Sequence, residues 1–279
     1  MKNSLKKQLK YDVKTGIVNE WKIYLLFAVT IVVLCASISN EAYSRRLGSL
    51  KFVDYLTKIF CGMKDFSDVE RTATFLIPQE WLIVQIFFII MVSRYPKTDF
   101  DERGYQVLIR SKSKKNWWTS KCVWVLCSTV LYYVILYFII VVFALFSSGL
   151  SLETKSDIWK NGVIIINNKK FIETVFIMPA VVSFTFGIFE MCISFLTSPI
   201  IAVFCILTYL VMSAYWCNPV LIGNYTMLLR KEEIIGNQGV NSEMGVVICF
   251  ILTALCIAIG YKYMKKTDIS LNNNKIHNT

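Results

Sequence analysis

Six apolar runs mark the chain, at roughly residues 23 to 39, 76 to 94, 122 to 146, 172 to 196, 199 to 215 and 244 to 261, with polar stretches between them. About 20 apolar residues cross a hydrocarbon core, so the pattern predicts six transmembrane helices. Prolines fall at the edges of the runs: Pro78 in the first turn of the second, Pro96 after it, Pro199 opening the fifth and Pro219 following it. Only Pro179 lies well inside a run, which predicts a kink in the fourth helix. Leu196-Thr197-Ser198-Pro199 is all that separates the fourth and fifth runs, so these form a tight helical hairpin.

Charge orients this pattern. With the N-terminus inside, 18 Lys and Arg against six acids fall on the inner side, while the outer segments balance at 12 and 12. The whole excess behind the net +11 therefore lies on one face, as the positive-inside rule requires. Composition agrees: 55% of residues are hydrophobic and the mean hydropathy is +0.52. The expected fold class is an all-α polytopic membrane protein, N-in and C-in, located in a plasma membrane. Because the basic residues flank spans, lipid contact accounts for them and no nucleic acid is implied.

The connections add detail. Leu5, Leu9, Val13, Ile17 and Trp21 recur every four residues among Lys6, Lys7, Lys10 and Lys14, so residues 1–22 predict an amphipathic helix along the inner leaflet. The run from Ile23 to Leu34 ahead of Cys35 resembles a signal segment, but bulky Leu34 argues for an uncleaved anchor. Outside, Leu50, Val53, Leu56, Ile59 and Phe60 predict a surface helix over the ends of the spans. Val163 to Ile166 predicts a small hairpin, and Tyr225 to Ile235 one short helix stopped by Gly236. Asn224-Tyr225-Thr226 matches a glycosylation acceptor. The domains are thus 1–22 interfacial helix, 23–261 transmembrane bundle, and 262–279 a basic, Asn-rich tail expected to be partly disordered.

Candidate chemistry is sparse. The chain has no G-x-x-x-x-G-K-[ST] loop, and its one histidine, His277, lies in the tail, so neither nucleotide binding nor histidine-based catalysis is expected. No enzyme activity, metal or cofactor is assigned to this chain. The nine cysteines form no C-x-x-C pair; Cys61 and Cys217 both fall outside and can meet, while the odd count favours free thiols. Aromatics crowd the third run, with Tyr132, Tyr133, Tyr137, Phe138, Phe143 and Phe146, and read as packing. Glu190 sits within the fourth run. An ionisable group at that depth faces the bundle interior with a partner or a function, so it either fixes helix packing or lines a path.

The richest stretch is Arg94 to Lys121, RYPKTDFDERGYQVLIRSKSKKNWWTSK. Pro96 stops the second helix, then Asp99, Asp101 and Glu102 precede Gly104 and the apolar run through Ile109, as suits a helix N-terminus. Arg110, Lys112, Lys114 and Lys115 then lead to Trp117 and Trp118, the order of a loop returning to the membrane through aromatic anchors. A short helix between spans two and three follows from this.

An amphipathic N-terminal helix, six spans and acids before a glycine in this connection resemble the permease subunits of bacterial ABC transporters of the type-two exporter class. The matching residues are Asp101-Glu102-Arg103-Gly104, Tyr105 to Arg110 and Ser111 to Lys121, with Arg103 standing where that class usually continues its acidic run. The resemblance implies a coupling helix, carried by Asp101, Glu102, Gly104, Tyr105, Leu108 and Arg110, that docks on a separate ATPase subunit binding ATP and Mg. It also implies a second permease copy or paralogue, and export of, or protection against, an amphipathic peptide or antibiotic. Two alternatives stay open: a stand-alone carrier using Glu190, and a membrane sensor or immunity protein that binds its target through the outer segments.

Overall fold

The computed structural model describes residues 2–65, 75, 77–101, 114–147, 149–150, 168–236 and 239–266. Among these, all regular structure is helical apart from one isolated bridge between Lys231 and Val240. The helices are α1 (Lys2–Val13), α2 (Trp21–Ser44), α3 (Phe52–Phe60), α4 (Gln79–Ser93), α5 (Tyr95–Asp99) and α6 (Lys114–Phe146). They continue with α7 (Asn168–Ile172), α8 (Met178–Leu196), α9 (Pro199–Tyr215), α10 (Glu232–Ile235) and α11 (Ser242–Lys266). The expected hairpin at Val163 to Ile166 and the tail beyond Lys266 lie outside the described residues.

Among the described residues, four helical stretches are long and apolar enough to cross a membrane: Trp21–Ser44, Lys114–Phe146, Lys169–Leu196 and Ser242–Lys266. The second and fifth runs form shorter helices, α4 with 15 residues and α9 with 17. At 1.5 Å per residue these reach about 22 and 25 Å, short of a core about 30 Å thick. Proline explains the shorter of the two. Pro78 caps α4 in an extended conformation, and Pro96, lacking an N–H, cannot bond the carbonyl of Val92, so the chain bends at Arg94 and restarts as α5.

Pro179 acts through a different device. Glu173–Ile177 form a π turn directly ahead of it, and this wider turn joins α7 to α8 as one continuous stretch. α8 is the central helix, packed by α4, α6, α9 and α11, and most of its side chains are buried. Tyrosine hydroxyls tie this interior. Tyr132 donates to the Val84 carbonyl at 2.6 Å, Tyr133 and Ser183 share a bond of 2.7 Å, and Tyr137 donates to the Val175 carbonyl at 2.6 Å. Such bonds satisfy polar groups where water is excluded, and they account for half the aromatics of this run. Phe138 and Phe146, by contrast, point outward. Exposed apolar side chains also cover α2, α9 and α11, among them Leu26, Phe204 and Phe250.

One end of the bundle is closed by a cap. Leu50, Val53, Leu56, Ile59 and Phe60 are all buried as their spacing predicts, and Lys58 of α3 pairs with Glu41 of α2 at 3.0 Å and Glu80 of α4 at 3.5 Å. The segment after α9 completes the cap, but not as the single helix expected from Tyr225 to Ile235. It forms two 3-10 turns, Ile222–Thr226 and Leu228–Arg230, then α10, with extended backbone at Met227 and Lys231. Tertiary bonds outcompete helix here: Leu229 N–H donates to the Cys61 carbonyl at 3.0 Å, and Val240 N–H to the Arg230 carbonyl at 2.8 Å. Gly236 does end α10, at a φ of 66° that favours glycine.

Candidate functional site

The opposite end carries the strongest concentration of charge chemistry. Lys121, in the second turn of α6, is fully buried, and its ammonium lies 2.8 Å from Asp12 Oδ1 and 2.6 Å from Asp99 Oδ2. Asp12, from α1, is also fully buried and accepts from Tyr95 at 3.0 Å, from Gln8 at 3.4 Å and from the Ser120 hydroxyl. Tyr11 donates to Asp99 at 3.3 Å, and the Lys121 ammonium stands 4.2 Å from the centre of the Tyr95 ring. Burial, with the Asp12 and Asp99 carboxylates beside it, pushes the Tyr95 phenol up, so it remains a donor at physiological pH. Two carboxylates share one ammonium, a net charge of −1 compensated by four neutral donors.

Local sequence builds this knot. Gln8, Asp12 and Gly16 recur every four residues beside the stripe of Leu9, Val13 and Ile17, and so share one helical face. At Gly16 a π turn, Lys14–Val18, comes so close to α6 and α5 that an added Cβ would stand 2.5 Å from Trp124 Nε1 and 2.7 Å from the Tyr95 ring. Gly16→Leu is therefore expected to cost about 2 kcal/mol by forcing these rings aside. A fall of several degrees in the thermal midpoint, matched against Lys10→Leu on the exposed face, checks it.

Asp99 ends α5 and is buried against Lys121, while the helix expected after Gly104 lies outside the described residues. The structure corrects the reading of this segment at two points. Lys114–Lys121 is the start of α6, not a loop. Trp117 and Trp118 are buried rather than lipid-facing: Phe195 of α8 packs on both rings, at 5.6 and 5.7 Å, and Trp118 donates to the Ile257 carbonyl of α11 at 3.1 Å. Asp101 is exposed beside Lys97 at 3.6 Å. Glu102, Gly104, Tyr105, Leu108 and Arg110 lie outside the described residues. α1 is amphipathic as expected, with Lys6, Lys7, Lys10 and Lys14 exposed, but its other face packs on α6.

Glu190 is fully buried on α8, as expected, and neither carboxylate oxygen has a partner among the described residues. Ser194 Oγ, one turn on, is equally unpartnered. No described group of His, Cys, Asp or Glu has the makings of a metal site, and all nine cysteines are free thiols.

Sequence reading missed two further buried cations, both in the cap. Arg230 donates to the carbonyls of Met63 at 2.9 Å, Ala214 at 2.6 Å and Lys64 at 3.3 Å, and to Asn224 Oδ1 at 2.8 Å. Asn224, fully buried, also bonds the Trp216 and Asn218 carbonyls, so the glycosylation match at Asn224-Tyr225-Thr226 is a structural element with no accessible amide. Lys231 donates to Ser242 at 2.7 Å, and burial lowers its amine to about 8. Below about pH 8 both folded and unfolded chains hold this proton. From there to about 10.5 only the unfolded chain does, so this group makes stability rise with pH. Lys231→Met is expected to remove that rise, read as the difference between the two proteins' midpoints at pH 7.5 and 9.5.

The fold and these sites define an all-α protein whose helices include four long and apolar enough to cross a membrane, with buried charge networks at both ends. Over residues 26–270 the chain matches the family described as "Protein of unknown function (DUF2705)", and it belongs to that family. No curated protein and no solved structure matches it.

Proposed function

We propose that the protein is the membrane-spanning permease subunit of a bacterial ABC exporter, with six spans, both termini cytoplasmic, and a separate ATPase docking on the segment around residues 99–115. The observation that carries this reading is the buried knot. Asp12, Asp99 and Lys121 fasten the two flanks of that segment to each other and to α1. An element that transmits motion needs such a stiff mount. The positive-inside count supports a cytoplasmic position for the segment, on the side where an ATPase works, and a second permease copy would cover exposed apolar surface on α2, α9 or α11. α4 and α9 serve as the remaining two spans in a locally thinned bilayer. An amphipathic peptide or antibiotic is the substrate class this reading favours.

Affinity purification of the intact protein from its own membrane tests the proposal, alongside a Gly104→Pro variant. An ATPase subunit is expected with the wild type and lost from the variant. Absence of an ATPase from both, in mild detergent, would overturn the reading. Glu190 supports a second one: its unpartnered carboxyl on the central helix suits an ion-coupled carrier that works without ATPase. In that case uptake or efflux by purified protein in vesicles follows an ion gradient alone and is lost in Glu190→Gln.

A further inference from the structure

Where α1 gives way to α2, and α4 to α5, the two junctions enclose an open pocket of about 230 Å³. Its lining includes the charged and polar Glu20, Arg94 and Thr98 and the apolar Ile23, Ile90 and Met91. Glu20 and Arg94 face one space, yet neither forms an ion pair, with the other or with any other described residue. Opposite charges that line one pocket without pairing are complementary to a ligand that carries both. The pocket also sits at a boundary. Glu20 immediately precedes the long apolar α2 with its exposed Trp21, and Arg94 immediately follows α4 with its exposed Ile90. Aromatic and charged residues at the ends of apolar helices mark the membrane interface.

We propose that this pocket binds the phosphoethanolamine headgroup of a zwitterionic membrane lipid. Arg94 takes the phosphate, as a guanidinium fork suits its oxygens, and Glu20 accepts hydrogen bonds from the primary ammonium. Ile23, Ile90 and Met91 meet the start of the acyl chains. The volume suits a headgroup; drug-sized ligands fill pockets of about 300–1,000 Å³. A purely anionic headgroup would be repelled by Glu20. A choline headgroup has no N–H to offer it and calls for an aromatic cage, whereas the one aromatic ring of the lining, Tyr95, already carries the Lys121 ammonium on its face. This proposal needs a membrane and no ATPase, so it stands or falls apart from the transporter reading.

Thermal unfolding of the detergent-purified full chain tests it, with dioctanoyl phosphatidylethanolamine, dioctanoyl phosphatidylglycerol or soluble glycerophosphoethanolamine added. The ethanolamine lipid at about ten times its dissociation constant is expected to raise the midpoint by about 4 °C, and the glycerol lipid by much less. Arg94→Gln abolishes the ethanolamine response, and Glu20→Gln makes the two lipids equivalent. Lys58→Gln, in the cap at the other end, keeps the wild-type discrimination and shows that weakened folding does not erase it. Equal wild-type shifts with both lipids, or discrimination surviving in both pocket variants, would overturn the proposal. A full response to glycerophosphoethanolamine would overturn the lipid as its source.

Discussion

Lys121→Met is expected to lower stability by about 4 kcal/mol, because it strands the carboxylates of Asp12 and Asp99 together in a buried site. In a chain of this size that is a fall of roughly 10 °C in the thermal midpoint. The knot's stoichiometry makes the prediction sharper than a simple loss. Since two carboxylates share one ammonium, Asp12→Asn leaves a one-to-one pair and is expected to cost about 1 kcal/mol. Replacing all three, by Asn, Asn and Met, removes the stranded charge and should recover at least half of the Lys121→Met loss. Midpoints of the four proteins in one detergent decide it. A Lys121→Met midpoint within 2 °C of wild type would show that the knot does not hold the ends of its segment, and the coupling proposal would lose its mount.

Arg230→Met is expected to open the cap. It removes the donors to three backbone carbonyls and to Asn224, and each buried acceptor left without a partner costs about 1–3 kcal/mol, so a loss on the order of 4 kcal/mol follows. Arg230→Lys should fare little better, since an ammonium cannot bond along four directions at once; burial already holds the Arg230 guanidinium below its usual value. Cys61 reports the outcome. Its carbonyl accepts from Leu229, next to Arg230, and the residue is buried, with 8% of its surface exposed. Maleimide labelling of Cys61 should therefore accelerate at least tenfold in both variants and remain slow in Gly16→Leu, whose damage lies at the far end.

Much of this architecture was legible because membrane helices announce themselves by length and apolarity. The ends of the apolar runs fall within a few residues of α2, α8, α9 and α11, and α3 was readable from five apolar positions at helical spacing. The starts of helices were less legible. α6 begins eight residues before the apolar run at Cys122, because Trp117, Trp118 and Lys121 are polar or amphipathic in sequence yet buried by α1, α5, α8 and α11. No local property distinguishes a lysine flanking a span from one folded beneath it. Asp12 left a trace, as the only acid among the lysines before Asn19, on a face shared with Gln8 and Gly16. Arg230 and Asn224 left none, since their partners are mostly backbone carbonyls distant in sequence. Depth in the fourth run alone singles out Glu190, whereas its lack of partners among the described residues depends on tertiary packing that no local pattern carries.

The charge ties at the two ends also fix how the molecule can deform. Glu41, Lys58 and Glu80 hold α2, α3 and α4 together at the cap, while Asp12, Asp99 and Lys121 hold α1, α5 and α6 at the other end. The α1–α2 and α4–α5 stretches are thus each tied near both ends and cannot splay apart like scissors, whereas neither tie includes α8. Bending of the central helix concentrates where the backbone ladder is already wound loosely, at the π turn Glu173–Ile177, just before Pro179. One residue removed from that turn would stiffen the rod into a plain α-helix and rotate α7 by about 100°. Lys170 would then swing away from Glu233, now 3.6 Å distant, and flexibility and cap closure would be lost together.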